Sequence, residues 1–95
     1  MRIELRLKGY LATIAPTARF VIDLPTGSRV SDLLDASFKR VGKGVRDEIL
    51  DASENGPAEN VFVFVNRGGT RKQVSWDTVL QEGDIVTIAS PLAGG

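Results

Sequence analysis

Apolar and polar residues alternate over residues 1–8: Ile3, Leu5 and Leu7 share one side, Arg2, Glu4, Arg6 and Lys8 the other. A period of two predicts a strand with one buried face. Residues 9–17 carry Gly9 and Pro16 and predict a loop. Alternation resumes over residues 19–24, with Phe20, Ile22 and Leu24 on one side. Two such strands joined by a short loop predict an antiparallel hairpin. The turn Pro25-Thr26-Gly27-Ser28 follows, and then the period changes. Val30, Leu33, Leu34, Ser37, Phe38 and Val41 form one stripe of a helix, with Asp32, Asp35, Lys39 and Arg40 facing out. Ser28 or Ser31 is expected to cap its start, and Gly42 or Gly44 to end it. Acids first and bases last also suit the helix dipole.

A short second helical turn is expected over residues 45–52 through Val45 and Ile49, and a polar loop over 53–60 with Gly56-Pro57. Val61-Phe62-Val63-Phe64-Val65 is an unbroken β-branched and aromatic run, which predicts a central strand covered on both faces. Asn66-Arg67-Gly68-Gly69 predicts a turn, and residues 70–74 a short strand paired with the one before. Residues 77–81 are expected to make one helical turn burying Val79 and Leu80. Glu82-Gly83-Asp84 predicts a tight turn, residues 85–89 the last strand, and 90–95 a tail with a breaker at Pro91. The order is strand, strand, helix, short helix, then three strands. One helix stripe must cover one mixed sheet of about five strands, an α+β arrangement. The first and last strands are expected to lie side by side and parallel at its centre. The domain is placed at residues 1–89 and the tail at 90–95.

Composition narrows the chemistry. With 95 residues the chain makes one domain with a modest core. Lys plus Arg equals Asp plus Glu, 12 of each, which argues against a nucleic-acid binder. No apolar run approaches the roughly 18 residues of a membrane span, and no leader pattern opens the chain. The expected location is therefore the cytoplasm. There is no Cys and no His. Iron–sulfur ligation, Cys nucleophiles and His general bases are absent, and no metal site is expected. Asp23, Asp32, Asp35, Asp47, Glu48 and Asp51 sit on faces expected to be solvated. Arg67, Arg71 and Lys72 around Gly68-Gly69 read as a hairpin tip, since the glycines lack phosphate-loop spacing. Trp76 reads as a partly buried anchor.

The sequence closes on Gly94-Gly95, a carboxylate with no side chain within two residues of it. Such an end passes through a narrow channel that any Cβ would block. Four pieces together carry a resemblance: Leu24-Pro25-x-Gly27 leading into Val30-x-x-Leu33-Leu34; Val63-Phe64-Val65-Asn66; Leu80-x-x-Gly83-Asp84-x-Val86; and Pro91-Leu92-Ala93-Gly94-Gly95. In this order they resemble the ubiquitin-like β-grasp sulfur carriers (MoaD/ThiS type), the molybdopterin synthase small subunit and the thiamin sulfur carrier. Chain length and the Pro-x-x-Gly-Gly ending lean toward the molybdopterin side. Ala89, Ser90 and Pro91 depart from the two prolines and bulky apolar residue usual there.

The resemblance implies a β-grasp fold and a protein co-substrate rather than an enzyme. A ubiquitin-activating-type adenylating enzyme uses ATP to activate the Gly95 carboxylate. A persulfide donor then supplies sulfur, leaving a thiocarboxylate. A larger subunit, that of molybdopterin synthase or thiazole synthase, accepts the sulfur. Gly95 is the reacting residue; Gly94, Ala93, Leu92 and Pro91 line the partner channel, with Leu92 as an apolar anchor and Pro91 as a stiffener. The chain itself binds no cofactor. Two other readings remain open at this stage: a modifier joined to lysines through Gly95, and a β-grasp interaction module with an inert tail.

Overall fold

A computed structural model describes residues 1–49 and 61–90. Strands β1 (Arg2–Gly9), β2 (Arg19–Asp23), β3 (Phe62–Arg67), β4 (Thr70–Gln73) and β5 (Ile85–Ser90) form one sheet in the order β2-β1-β5-β3-β4. β1 pairs parallel with β5, placing Leu5 beside Val86, and the other pairs are antiparallel. The expected parallel contact at the sheet centre is present. The strand at that centre is β5, and β3 lies one place outward.

Alternation builds the core. Ile3, Leu5 and Leu7 of β1, Val63 and Val65 of β3, and Val86 and Ile88 of β5 all point to one face and are buried. Helix α2 (Val30–Val41) lays Val30, Leu33, Leu34 and Val41 into the same cluster. Each fully buried aliphatic side chain of this kind contributes about 1.5–3 kcal/mol. Ser37 also lies on the stripe, and its hydroxyl donates to the Leu34 carbonyl at 2.9 Å; among the described residues no buried side-chain polar atom lacks a partner. Helix α3 (Lys43–Ile49) adds Val45 and Ile49. The expected loop over residues 53–60 lies outside the described residues.

Several expectations change. Residues 9–17 are not all loop: Gly9 ends β1 and Tyr10–Ile14 forms a short helix, α1, burying Leu11. Neither serine caps α2. Arg29 holds the cap position, its backbone N–H donating to the Asp32 carboxylate at 2.8 Å. The hydroxyl of Ser28 donates instead to the Pro25 carbonyl at 2.7 Å. Two further N–H groups of the first turn, from Val30 and Ser31, donate to the carbonyls of Thr78 and Trp76. That docking explains why residues 77–81 form no helix. Their backbone serves the start of α2, with Val79 bridged to Arg29, so Val79 stays 45% exposed while Leu80 is buried. Gly42 ends α2, its N–H donating to the Phe38 carbonyl.

The run 61–65 is covered on one face only. Phe62 is 43% exposed and Phe64 partly so, because no element packs on that side of the sheet among the described residues. The β3–β4 turn is tighter than expected, reduced to Gly68-Gly69 with φ of 59° and 84°. Two consecutive positive φ values define the hairpin turn whose twist matches the flanking strands, and glycine adopts them without strain.

Candidate functional site

The last described residue, Ser90, ends the central strand and is buried, so β5 runs one residue past the expected 85–89. The tail residues Pro91, Leu92, Ala93, Gly94 and Gly95 lie outside the described residues. Their point of attachment is well defined. Ser90 pairs with Gly9 of β1, and a Cβ on Gly9 would stand 2.0 Å from the Ser90 carbonyl oxygen. The two chains approach at that point as closely as glycine permits. The tail therefore follows directly from the end of the central strand.

That face is ordered by register. One row across the sheet reads Arg19, Arg6, Thr87, Phe64, Gln73; the next reads Val21, Glu4, Ile85, Asn66, Arg71. Nearest the tail, Lys8, Ala89 and Phe62 stand together. Arg71 lays its guanidinium 4.3 Å from the centre of the Phe64 ring. A shallow pocket of about 460 Å³ opens between these rows, floored by Phe64, Ile85 and Thr87 and edged by Arg6, Lys8 and Arg71. The face also carries Arg2 and Arg19, against the acids Glu4 and Asp23 alone. Glu4 is already engaged. Arg6 hydrogen-bonds its carboxylate, and Arg19 Nε approaches it at 3.0 Å. These contacts hold the Glu4 carboxyl below its ordinary range, Arg6 contributing most. The chain is neutral overall, yet this face is positive.

At the other end of β5 lies a contact that the sequence did not reveal. Asp84 is 1% exposed. One carboxylate oxygen accepts from Arg67 Nε at 2.9 Å; the other accepts from Arg67 Nη2 at 2.7 Å and from the Gln81 N–H at 2.8 Å. Burial alone pushes the carboxyl up, but the Arg67 hydrogen bonds, the Gln81 N–H and the Arg67 charge together hold it below its usual value. The segment is further sewn to β1 by Glu4 N–H to the Asp84 carbonyl and Gly83 N–H to the Arg2 carbonyl. Arg67 is therefore a fastener of β3 to β5 rather than a free cation at a hairpin tip. Arg71 and Lys72 remain exposed. A Gly-Asp turn before a strand gives no signal for this pairing, because the partner lies 17 residues away.

The remaining sequence candidates stay apart. Asp23, Asp32, Asp35 and Asp47 are exposed and Glu48 partly so, while Asp51 lies outside the described residues. Among the described residues no cluster of three or more acids could hold a metal ion. Trp76 is partly buried against the core, as expected. No helix of the described residues is long and apolar enough to cross a membrane.

A five-stranded mixed sheet with parallel first and last strands, gripping one main helix, defines a ubiquitin-like β-grasp protein. Comparison with known proteins is more specific. The ThiS family matches over residues 5–95. The molybdopterin synthase sulfur carrier subunit of Drosophila erecta is 34% identical over 84 residues, which is 86% of this chain and 78% of that protein. A putative molybdopterin converting factor, subunit 1, from Pyrococcus furiosus superposes with a TM-score of 0.72 at 29% identity, covering 96% of this chain and 98% of that one. SAMP1 from Haloferax volcanii shares the fold with a TM-score of 0.83 at 20% identity, each chain covered in full. The chain belongs to the ThiS family.

Proposed function

We propose that this protein is a sulfur carrier that works through its terminal glycine and feeds molybdopterin synthesis. The observation that carries the proposal is the family match extending through residue 95, together with 34% identity to a molybdopterin synthase sulfur carrier subunit. The scaffold agrees with a carrier. Its described carboxylates are dispersed and it contains no Cys or His, so the reactive chemistry belongs to partners.

A carboxylate is a poor electrophile, being anionic and lacking a good leaving group. Adenylation by an activating enzyme joins the Gly95 carboxylate to AMP and releases pyrophosphate from ATP. A persulfide sulfur on the donor attacks the acyl carbon and AMP leaves. A thiol then reduces the resulting acyl disulfide, which frees the thiocarboxylate and leaves a disulfide behind. A larger catalytic subunit accepts the sulfur. Gly94 and Gly95 enter both partner sites without side-chain clash, Leu92 anchors in an apolar pocket, and Pro91 lowers the ordering cost. Extended backbone of the tail pairs along the partner's groove. The open sheet face beside the tail supplies the remaining contact. These steps need a compartment that supplies both ATP and persulfide donors, and the cytoplasm is the location that fits this reading.

The test is intact-mass analysis after incubation with ATP, a ubiquitin-activating-type enzyme and a persulfide donor. The expected result is a gain of about sixteen daltons, oxygen replaced by sulfur, which is absent from a chain lacking Gly95. Transfer of that sulfur to a precursor pterin in the presence of the larger subunit completes the assignment. Isopeptide adducts on lysines with no thiocarboxylate would overturn it in favour of a modifier.

A further inference from the structure

We propose that the open face of the sheet docks an acidic protein surface, with the pocket edged by Arg6, Lys8 and Arg71 receiving the partner's carboxylates. The inference rests on the carrier reading above and names the chemistry of the surface that guides the tail. Three observations on this face converge. Its charge is one-sided although the chain is neutral: Glu4 is taken up by Arg6 and Arg19, while Lys8 and Arg71 make no ion pair among the described residues. Arg71 is held over the Phe64 ring, so its guanidinium is positioned before any partner arrives and less rotamer freedom is lost on docking. The pocket is floored by Ile85 and Thr87 of β5, the same strand that ends at Ser90 and continues into the tail. A partner seated on this face is thereby aligned with the strand whose extension it must swallow.

The composition of the face favours protein over nucleic acid. Exposed Phe62 and half-exposed Phe64 offer aromatic area beside arginine, the combination enriched at the centres of protein interfaces. Asp23 in the same face would oppose a continuous phosphate backbone. Opposed charges at such a contact act mainly on association rate and on its salt dependence.

The experiment compares wild type with Lys8→Glu/Arg71→Glu, and with Lys39→Glu/Lys43→Glu as a control on the exposed helical side. Binding to the adenylating enzyme is titrated at 50 and 300 mM salt as rough bounds of the screening range, and sulfur loading is followed by mass in parallel. All proteins are first shown to melt alike. The expected result is binding weakened about tenfold by the first pair, with a flattened salt dependence. The control pair leaves binding unchanged. Equal affinity and equal salt dependence for wild type and Lys8→Glu/Arg71→Glu overturn the docking proposal while loading still stands. A normal charge effect with no mass gain overturns the carrier reading and keeps the docking surface. Failure of wild type to bind the enzyme, or tighter binding to a single-stranded RNA oligomer through the same residues, overturns the docking proposal.

Discussion

Replacing Asp84 by Asn isolates the fastener at the start of the central strand. The change is nearly isosteric but turns one acceptor oxygen into a donor NH2. Both oxygens of Asp84 accept, one from Arg67 Nε and the other from Arg67 Nη2 and Gln81 N–H, so either amide orientation sets a donor against a donor. A hydrogen bond to a charged group is worth about 1.5–3 kcal/mol, and an unsatisfied buried partner costs about 1–3 kcal/mol. Arg67 is 42% exposed at its side chain and recovers part of its hydration, which lowers the total. A net loss of about 2–3 kcal/mol follows, or roughly 10–20 °C in Tm for a domain of this size. Thermal melts followed by circular dichroism at pH 7 measure it. The pH dependence supplies a second check. Asp84 has a lower carboxyl pKa folded than unfolded, so its ionised form stabilises the fold above the ordinary carboxylate range. That stabilisation is lost as pH falls through about 4 and below. The gap between wild type and Asp84→Asn therefore narrows toward pH 3 (about the lower end of the carboxylate range). A variant melting within about 2 °C of wild type at pH 7, well below the shift expected from this energy, or a gap that stays constant with pH, would refute the reasoning.

On the carrier reading proposed above, Gly94→Ala reduces thiocarboxylate formation severalfold and leaves Tm unchanged; intact mass and a melt on the same sample separate the two. Ile88→Ala opens a cavity under the fully buried centre of β5 and should cost about 2–5 kcal/mol by urea denaturation. Asp32→Ala removes the acceptor for the Arg29 N–H at the start of α2 and should cost about 1 kcal/mol, measured the same way.

The elements of this protein were largely legible in its sequence because they are written in local periods. Alternation in residues 1–8 and 19–24, and the stripe from Val30 to Val41, depend only on which neighbours along the chain share a face. The expected antiparallel β1–β2 pair and the parallel β1–β5 pair follow from those faces needing a single core. The run 61–65 misled, since an unbroken apolar stretch does not say whether its second face is covered, and here Phe62 and Phe64 look outward. Residues 77–81 misled for a related reason. Their helical pattern yields to the start of α2, whose N–H groups take the Thr78 and Trp76 carbonyls. The candidate tail was read wholly from sequence, from a Gly-Gly ending and the motifs that precede it.

Folding added what no local period encodes. It brought Arg67 and Asp84 together across 17 residues, setting two opposite charges in one partly dry contact. It also sorted a neutral set of charges into a positive sheet face. Which cations share that face depends on the pairing register of separate strands, and register is settled by burial of the opposite face. The sequence by itself determined the strands, the helix stripe and the motifs that carry the family resemblance. Only the tertiary structure decided what surrounds the base of that end, because side chains remote in sequence become neighbours only when the sheet closes over its core.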